Sequence, residues 1–122
     1  MNQASPSHRP RTYFVSRHPG AVEWAQRQGI CVDHIVDHLD INIIRADDIV
    51  IGTLPIHMVV SICAQGARYF HLTLSLPPSL RGQELSADML EQLGAELQEY
   101  EAKVPSHPLP LSPKDLPTGR FS

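Results

Sequence analysis

Short apolar blocks and polar breaks alternate along this chain from Thr12 to about residue 103. TYFV, Thr12–Val15, reads as a short strand. The polar turn Ser16-Arg17-His18 follows it. Pro19 to Gln28 reads as a helix, with Pro19 in its first turn and Gly29 as its stop. Trp24 on this helix belongs to a core or an interface. CVDHIVDHLD fits two templates. Val32, Ile35, Val36 and Leu39 suit a helix, but β-branched content and the position after a helix favour a strand. Ile49-Val50-Ile51 is a continuous apolar run, as a buried central strand requires. Gly52 and Thr53 end it, and Thr53 is placed as an N-cap. LPIHMVVSICAQG then reads as an apolar helix, with Pro55 in its first turn and Gly66 as its end.

RYFHLTLSLP alternates with period two. Phe70, Leu72, Leu74 and Leu76 fall on one face, and Tyr69, His71, Thr73 and Ser75 on the other, which predicts a half-covered strand. After a loop containing Pro77, Pro78, Arg81 and Gly82, Ser86 is placed to cap a last helix, with Leu85 and Leu90 spaced for a hydrophobic staple. Met89, Leu90, Leu93, Leu97 and Tyr100 give that helix its apolar face. Residues 41–46, INIIRA, leave room for a fifth short strand. Strands interleaved with helices predict an α/β domain, a small Rossmann-like mainly parallel sheet with helices on both faces.

Composition sets the boundaries. The chain has 122 residues, enough for one core. Residues 1–11 are polar, and residues 104–122, VPSHPLPLSPKDLPTGRFS, are Pro-rich without a period. Both are expected to be disordered, which leaves 12–103 as the folded domain. No apolar run approaches the roughly 20 residues that cross a bilayer, and the N-terminus has no apolar signal segment. No membrane partner and a cytoplasmic location follow as expectations. Cys31 and Cys63 are the two cysteines; without a CxxC pattern they read as small core residues. The net charge of −3 argues against a protein that coats long DNA or RNA by charge alone, but not against a focused pocket for a small anion. No histidine–carboxylate spacing suggests a metal site, and P-loop, GxSxG and GxGxxG motifs are absent. No cofactor is expected.

Ligands of open α/β sheets bind beyond the C-terminal ends of the strands. The predicted strands place Ser16, Arg17 and His18 there, then His38 and Asp40, then Gly52, Thr53 and Leu54 with His57 early in the next helix, and finally Ser75 and Arg81. Hydroxyls, imidazoles, guanidiniums and a glycine suit a ligand with phosphates. Arginines make bidentate bonds to phosphate oxygens, a histidine moves protons near neutrality, and glycine admits close approach to the backbone. Asp47 and Asp48 read as a turn, and Arg68 and Glu84 as surface or loop-fixing residues.

Three stretches carry a resemblance: SRHPGAVEW, DHLD, and DDIVIGTLPIHMVVSICAQGARYFHLTLSLPPSLRGQEL. They resemble a small accessory family of type III CRISPR systems with the patterns RHxGAxxW, GDxVxGTLP and LxxPxxLRGxEL. The resemblance covers about residues 12–103. Asp47 departs from it, standing where the pattern often has Gly. The resemblance implies a ring nuclease, which degrades cyclic oligoadenylate, most often cyclic tetra-adenylate, and so switches off type III signalling. It also implies a homodimer matching the symmetry of the ring, and a fold like the CRISPR-associated nucleotide-sensing domains.

On that reading the chemistry is metal-independent. The 2′-hydroxyl of the ring attacks the adjacent phosphorus, and the enzyme orients it and stabilises developing charge. Arg17 and His18 are the catalytic candidates. Ser16, Gly52, Thr53, Leu54, His57 and Arg81 are the ligand-binding candidates. Two other readings remain open from sequence: a binder that sequesters the ring intact, and a generic α/β nucleotide-binding module.

Overall fold

The computed structural model describes residues 9–106. Expectations for residues 1–8 and 107–122 lie outside the described residues. In chain order the elements are β1 (Thr12–Val15), α1 (Pro19–Arg27), β2 (His34–Val36), β3 (Ile49–Gly52), α2 (Ile56–Ala64), β4 (Arg68–Thr73), α3 (Ala87–Gln92) and β5 (Glu96–Tyr100). The strands form one sheet in the order β2-β1-β3-β4-β5. β1 pairs parallel with β2 and β3, β3 pairs parallel with β4, and β5 runs antiparallel to β4. A small Rossmann-like α/β architecture is thus the observed one.

Period-two alternation along the strands divides the core in two. Tyr13, Val50 and Tyr69 point to one face, where they pack with Val59 and Ile62 of α2. Phe14 and Ile51 point to the other, where they pack with Ala21, Trp24 and Ala25 of α1 and with Ala87 and Leu90 of α3. Burying side chains such as Phe14 and Ile62, both at 0 % exposure, stabilises by about 2 kcal/mol each. Trp24 lies in the core as expected. Cys31 does not: it is exposed, and Cys63 is half-buried. Cys31 falls in the loop between α1 and β2 rather than on a periodic apolar face.

Four local readings need correction. The apolar run Met89 to Tyr100 is not one helix. α3 stops at Gln92, and β5 follows. Gly94 makes the break with φ 73°, and the Ala95 N–H closes back on the Leu90 carbonyl at 2.9 Å, the bond of a helix-ending Schellman turn. Second, residues 41–46 hold a 3₁₀ turn, Ile41–Ile43, capped by Asp40, whose side chain accepts from the Asn42 N–H; they do not form a strand. Third, Thr53 is not the N-cap of α2. Pro55 occupies that position, because a proline disfavours helical backbone in the residue before it, here Leu54. Fourth, β4 ends at Thr73, so Leu74 and Leu76 continue its apolar face from a loop.

Other expectations match the structure. Ser86 caps α3, accepting from the Met89 N–H. Pro19 opens α1. Arg68 is a surface residue, bonded through Nε and an Nη to Glu99 at 2.9 and 3.0 Å. Arg27 bonds Glu23, Asp88 and Glu91 at 2.6, 2.6 and 2.8 Å, and so ties α1 to α3. Asp47 sits in the predicted turn with φ 71°, the left-handed region that favours Gly and tolerates Asp. Asp48 is fully buried and accepts from the Arg11 and Arg45 N–H groups at 2.9 Å each.

Candidate functional site

The crossovers β1–α1–β2 and β3–α2–β4 leave the β1/β3 pair in opposite directions and on opposite faces. The strand order therefore reverses between β1 and β3, and a crevice opens past their C-terminal ends. Two turns flank it: Ser16-Arg17-His18 after β1, and Gly52-Thr53-Leu54 after β3.

The first turn is internally braced. The Ser16 hydroxyl accepts from the His18 N–H at 3.0 Å, and the Ser16 N–H donates to the Val36 carbonyl at 3.0 Å. His18 is the N-cap residue of α1, yet its imidazole makes no capping bond. Pro19 has no N–H and Gly20 has no intrahelical acceptor, so the positive end of the α1 dipole faces this edge. Arg17 is exposed and donates to Nε2 of His38 at 3.2 Å. Accepting there requires a neutral His38 with its proton on Nδ1. The bond holds Arg17 at the strand ends and leaves most of its donors for a ligand.

The second turn is fixed from below by Tyr69, which is 1 % exposed. Its hydroxyl accepts from the Leu54 N–H at 2.9 Å, contacts the Gly52 carbonyl at 3.1 Å and meets Nδ1 of His71 at 2.6 Å. A hydroxyl has one proton and two lone pairs. The bonds close when the proton goes to Gly52 and the His71 Nδ1–H donates to the tyrosine oxygen. Burial pushes the Tyr69 phenol above its ordinary pKa, and the Leu54 N–H partly offsets this. Gly52 is packed tightly: a β-carbon there would lie 3.1 Å from the Val15 carbonyl oxygen.

A cleft of about 440 Å³ opens on the α1/α3 side of these turns. Phe14, Leu72, Leu74 and Leu85 give it an apolar floor, and Ser16, His18, Gly52 and Thr53 stand along it. One cleft thus gathers four of the residues singled out from sequence. Arg17 stands in the same turn as Ser16 and His18, and exposed Arg81 immediately precedes the cleft residue Gly82. Leu54 lines a separate cleft on the α2 side with Tyr69, His71 and Tyr100; its N–H is occupied by Tyr69. His57 is exposed on α2 and lines neither cleft. Because α2 begins at Ile56, the helix N-terminus beside the β1 turn is that of α1. Sequence reasoning missed Tyr69 and His71. Their alternation with Phe70 placed them correctly on one face, but no spacing shows that a strand's tyrosine reaches the neighbouring turn. Among the described residues, no group of three or more His, Cys, Asp or Glu converges, and no helix is long and apolar enough to cross a membrane.

Fold and crevice together define a small Rossmann-like protein with a cleft at its topological switch point. A family model described as "Putative CRISPR-associated protein (Cas_VVA1548)" matches residues 13–103, which takes in both turns and all of the sheet but its first residue, Thr12. The chain belongs to this CRISPR-associated family. Searches of curated proteins and of solved structures gave no match.

Proposed function

We propose that this protein is a ring nuclease that binds cyclic oligoadenylate, most readily cyclic tetra-adenylate, and opens it to linear products. The observation that carries the reading is the meeting of Ser16 and His18 with Gly52 and Thr53 along one switch-point cleft, with Arg17 in the turn between Ser16 and His18. Membership of a CRISPR-associated family supports the class of ligand.

An RNA linkage supplies its own nucleophile. The 2′-oxygen bonds to phosphorus as the bond from phosphorus to the 5′-oxygen breaks, leaving a 2′,3′-cyclic phosphate and a 5′-hydroxyl. The 2′-hydroxyl proton must leave, and the 5′-oxygen must receive one. His18 lines the cleft, and its imidazole has no hydrogen-bond partner among the described residues, so it is the group for proton transfer. Arg17 and the α1 N-terminus stabilise charge on the non-bridging oxygens. Thr53 offers a hydroxyl to phosphate or ribose, and Arg81 adds charge from the loop. Ser16 shapes the turn that presents Arg17 and His18. A two-fold dimer would present these groups twice to a symmetric ring.

The test mixes purified protein with cyclic tetra-adenylate in EDTA and follows products by chromatography. Linear adenylates ending in a 2′,3′-cyclic phosphate support the reading. Tight binding of an intact ring would replace it with sequestration. Neither binding nor cleavage, repeated with other ring sizes, would leave a generic nucleotide-binding module.

A further inference from the structure

Nothing in the proposed chemistry uses Tyr69, yet its hydroxyl is the most heavily engaged side-chain group beside the site. It is a buried phenol on β4, and it bonds both the carbonyl of Gly52 and the N–H of Leu54. Those two backbone groups bracket Thr53. One hydroxyl thus spans the β3 turn from end to end.

The pairing register makes this possible. Gly52 lies opposite His71, with Val50 opposite Tyr69. Tyr69 therefore starts two residues lower on the sheet, and its ring length carries the hydroxyl up to the turn. Its side chain sits on the α2 face, whereas the cleft opens on the α1/α3 face. Tyr69 is not among the residues lining that cleft and reaches it through backbone alone. His71 completes the arrangement. With its Nδ1–H given to the tyrosine oxygen, the tyrosine proton is committed to Gly52. Nε2 of His71 has no hydrogen-bond partner among the described residues.

We propose that Tyr69 is a positioning residue for the site: its hydroxyl locks the Gly52-Leu54 turn in the shape that presents Thr53 to the ligand, and His71 fixes the direction of its proton. The inference rests on the proposed function for its catalytic consequence, and on the hydrogen bonds alone for its structural one. The local structure without the hydroxyl is clear. Leu54 loses its acceptor and Gly52 its donor, and the turn is free to sample other backbone angles. Misplacement of a positioned group by about 1 Å lowers turnover by up to about a hundredfold.

The test is a double-mutant cycle with Tyr69→Phe and Thr53→Ala, read in two ways. Amide hydrogen exchange at Leu54 is expected to speed up at least tenfold in Tyr69→Phe, while the amide of Val50 on β3 stays protected. Cleavage of cyclic tetra-adenylate is expected to fall about tenfold or more in kcat in Tyr69→Phe, and less than twofold when Thr53 is already Ala, because sites acting through one another are not additive. Unchanged exchange at Leu54 overturns the lock. Accelerated exchange with effects on kcat that multiply independently overturns the route through Thr53. If the wild type neither binds nor cleaves the ring, the ring-nuclease reading fails by itself, and the exchange rate still decides whether the hydroxyl holds the turn.

Discussion

Gly20→Ala sets two effects of known sign against each other. Gly20 is the second residue of α1, and alanine in a helix is favoured over glycine by up to about 1 kcal/mol. Propensity alone therefore predicts a more stable protein. Packing predicts the opposite. A β-carbon at Gly20 falls on the carbonyl oxygen of Leu85 and lies 3.0 Å from both the Leu85 carbonyl carbon and the Ser86 α-carbon. These are backbone atoms, so no side-chain rotation relieves the overlap. They are also held from the other side, because Ser86 caps α3 and Arg27 ties α3 to α1. Overpacking costs about 1–3 kcal/mol, and a clash with fixed backbone belongs at the top of that range. The net expectation is a loss of about 2 kcal/mol. At about 4–8 °C per kcal/mol for a domain of this size, the melting midpoint should drop by roughly 10 °C. Thermal unfolding followed by circular dichroism at 222 nm measures it. An unchanged or raised midpoint would refute the close approach of α1 to the Leu85-Ser86 segment, and with it the shape of the cleft wall.

Arg17→Ala should leave stability within about 0.5 kcal/mol, as for an exposed residue, while ring cleavage falls about a hundredfold or more; an active variant would remove Arg17 from the chemistry. Asp47→Gly should be neutral or stabilise by up to about 1 kcal/mol, since glycine meets no penalty at φ 71°, and a clear loss in a urea titration would contradict that geometry. Asp48→Asn should destabilise by about 1–3 kcal/mol, because an amide offers one acceptor oxygen where a buried carboxylate serves two N–H groups. The hydrogen bond from Arg68 holds the Glu99 carboxyl below its ordinary value, so this pair's contribution is present above about pH 4.5 and disappears as pH falls through the lowered value. Wild type and Arg68→Gln should therefore differ most near neutrality and converge in acid unfolding curves, and a gap constant with pH would show that the charge plays no part.

The parallel half of the fold was legible because its signals are local. Thr12–Val15 and Ile49–Ile51 are apolar runs bounded by polar turns, and the helices between strands end at glycines. From those ends the crevice rule located the turns at Ser16-Arg17-His18 and Gly52-Thr53. β5 was hidden because Met89, Leu90, Leu93, Leu97 and Tyr100 satisfy helical spacing by coincidence. The contrary signal was Gly94, in the middle of the supposed helix. The N-cap at Thr53 looked sound by residue type, but Pro55 governs Leu54 and moves the helix start. The Tyr69 contacts depend on the register of β3 against β4, which single-chain periodicity does not encode.

The antiparallel course of β5 fixes where the chain can be handled. β1 begins, and β5 ends, beside the N-terminal ends of β3 and β4, since Thr12 pairs with Ile49 and Tyr100 with Tyr69. The path into the sheet and the path out of it thus share the edge farthest from the Arg17 and Thr53 turns. A label attached just before β1 or just after β5, at exposed Arg11 or Glu101, therefore sits at the opposite edge of the sheet from the crevice. Protein immobilised through a cysteine substituted at either of those two positions should accordingly keep the affinity it has in free solution.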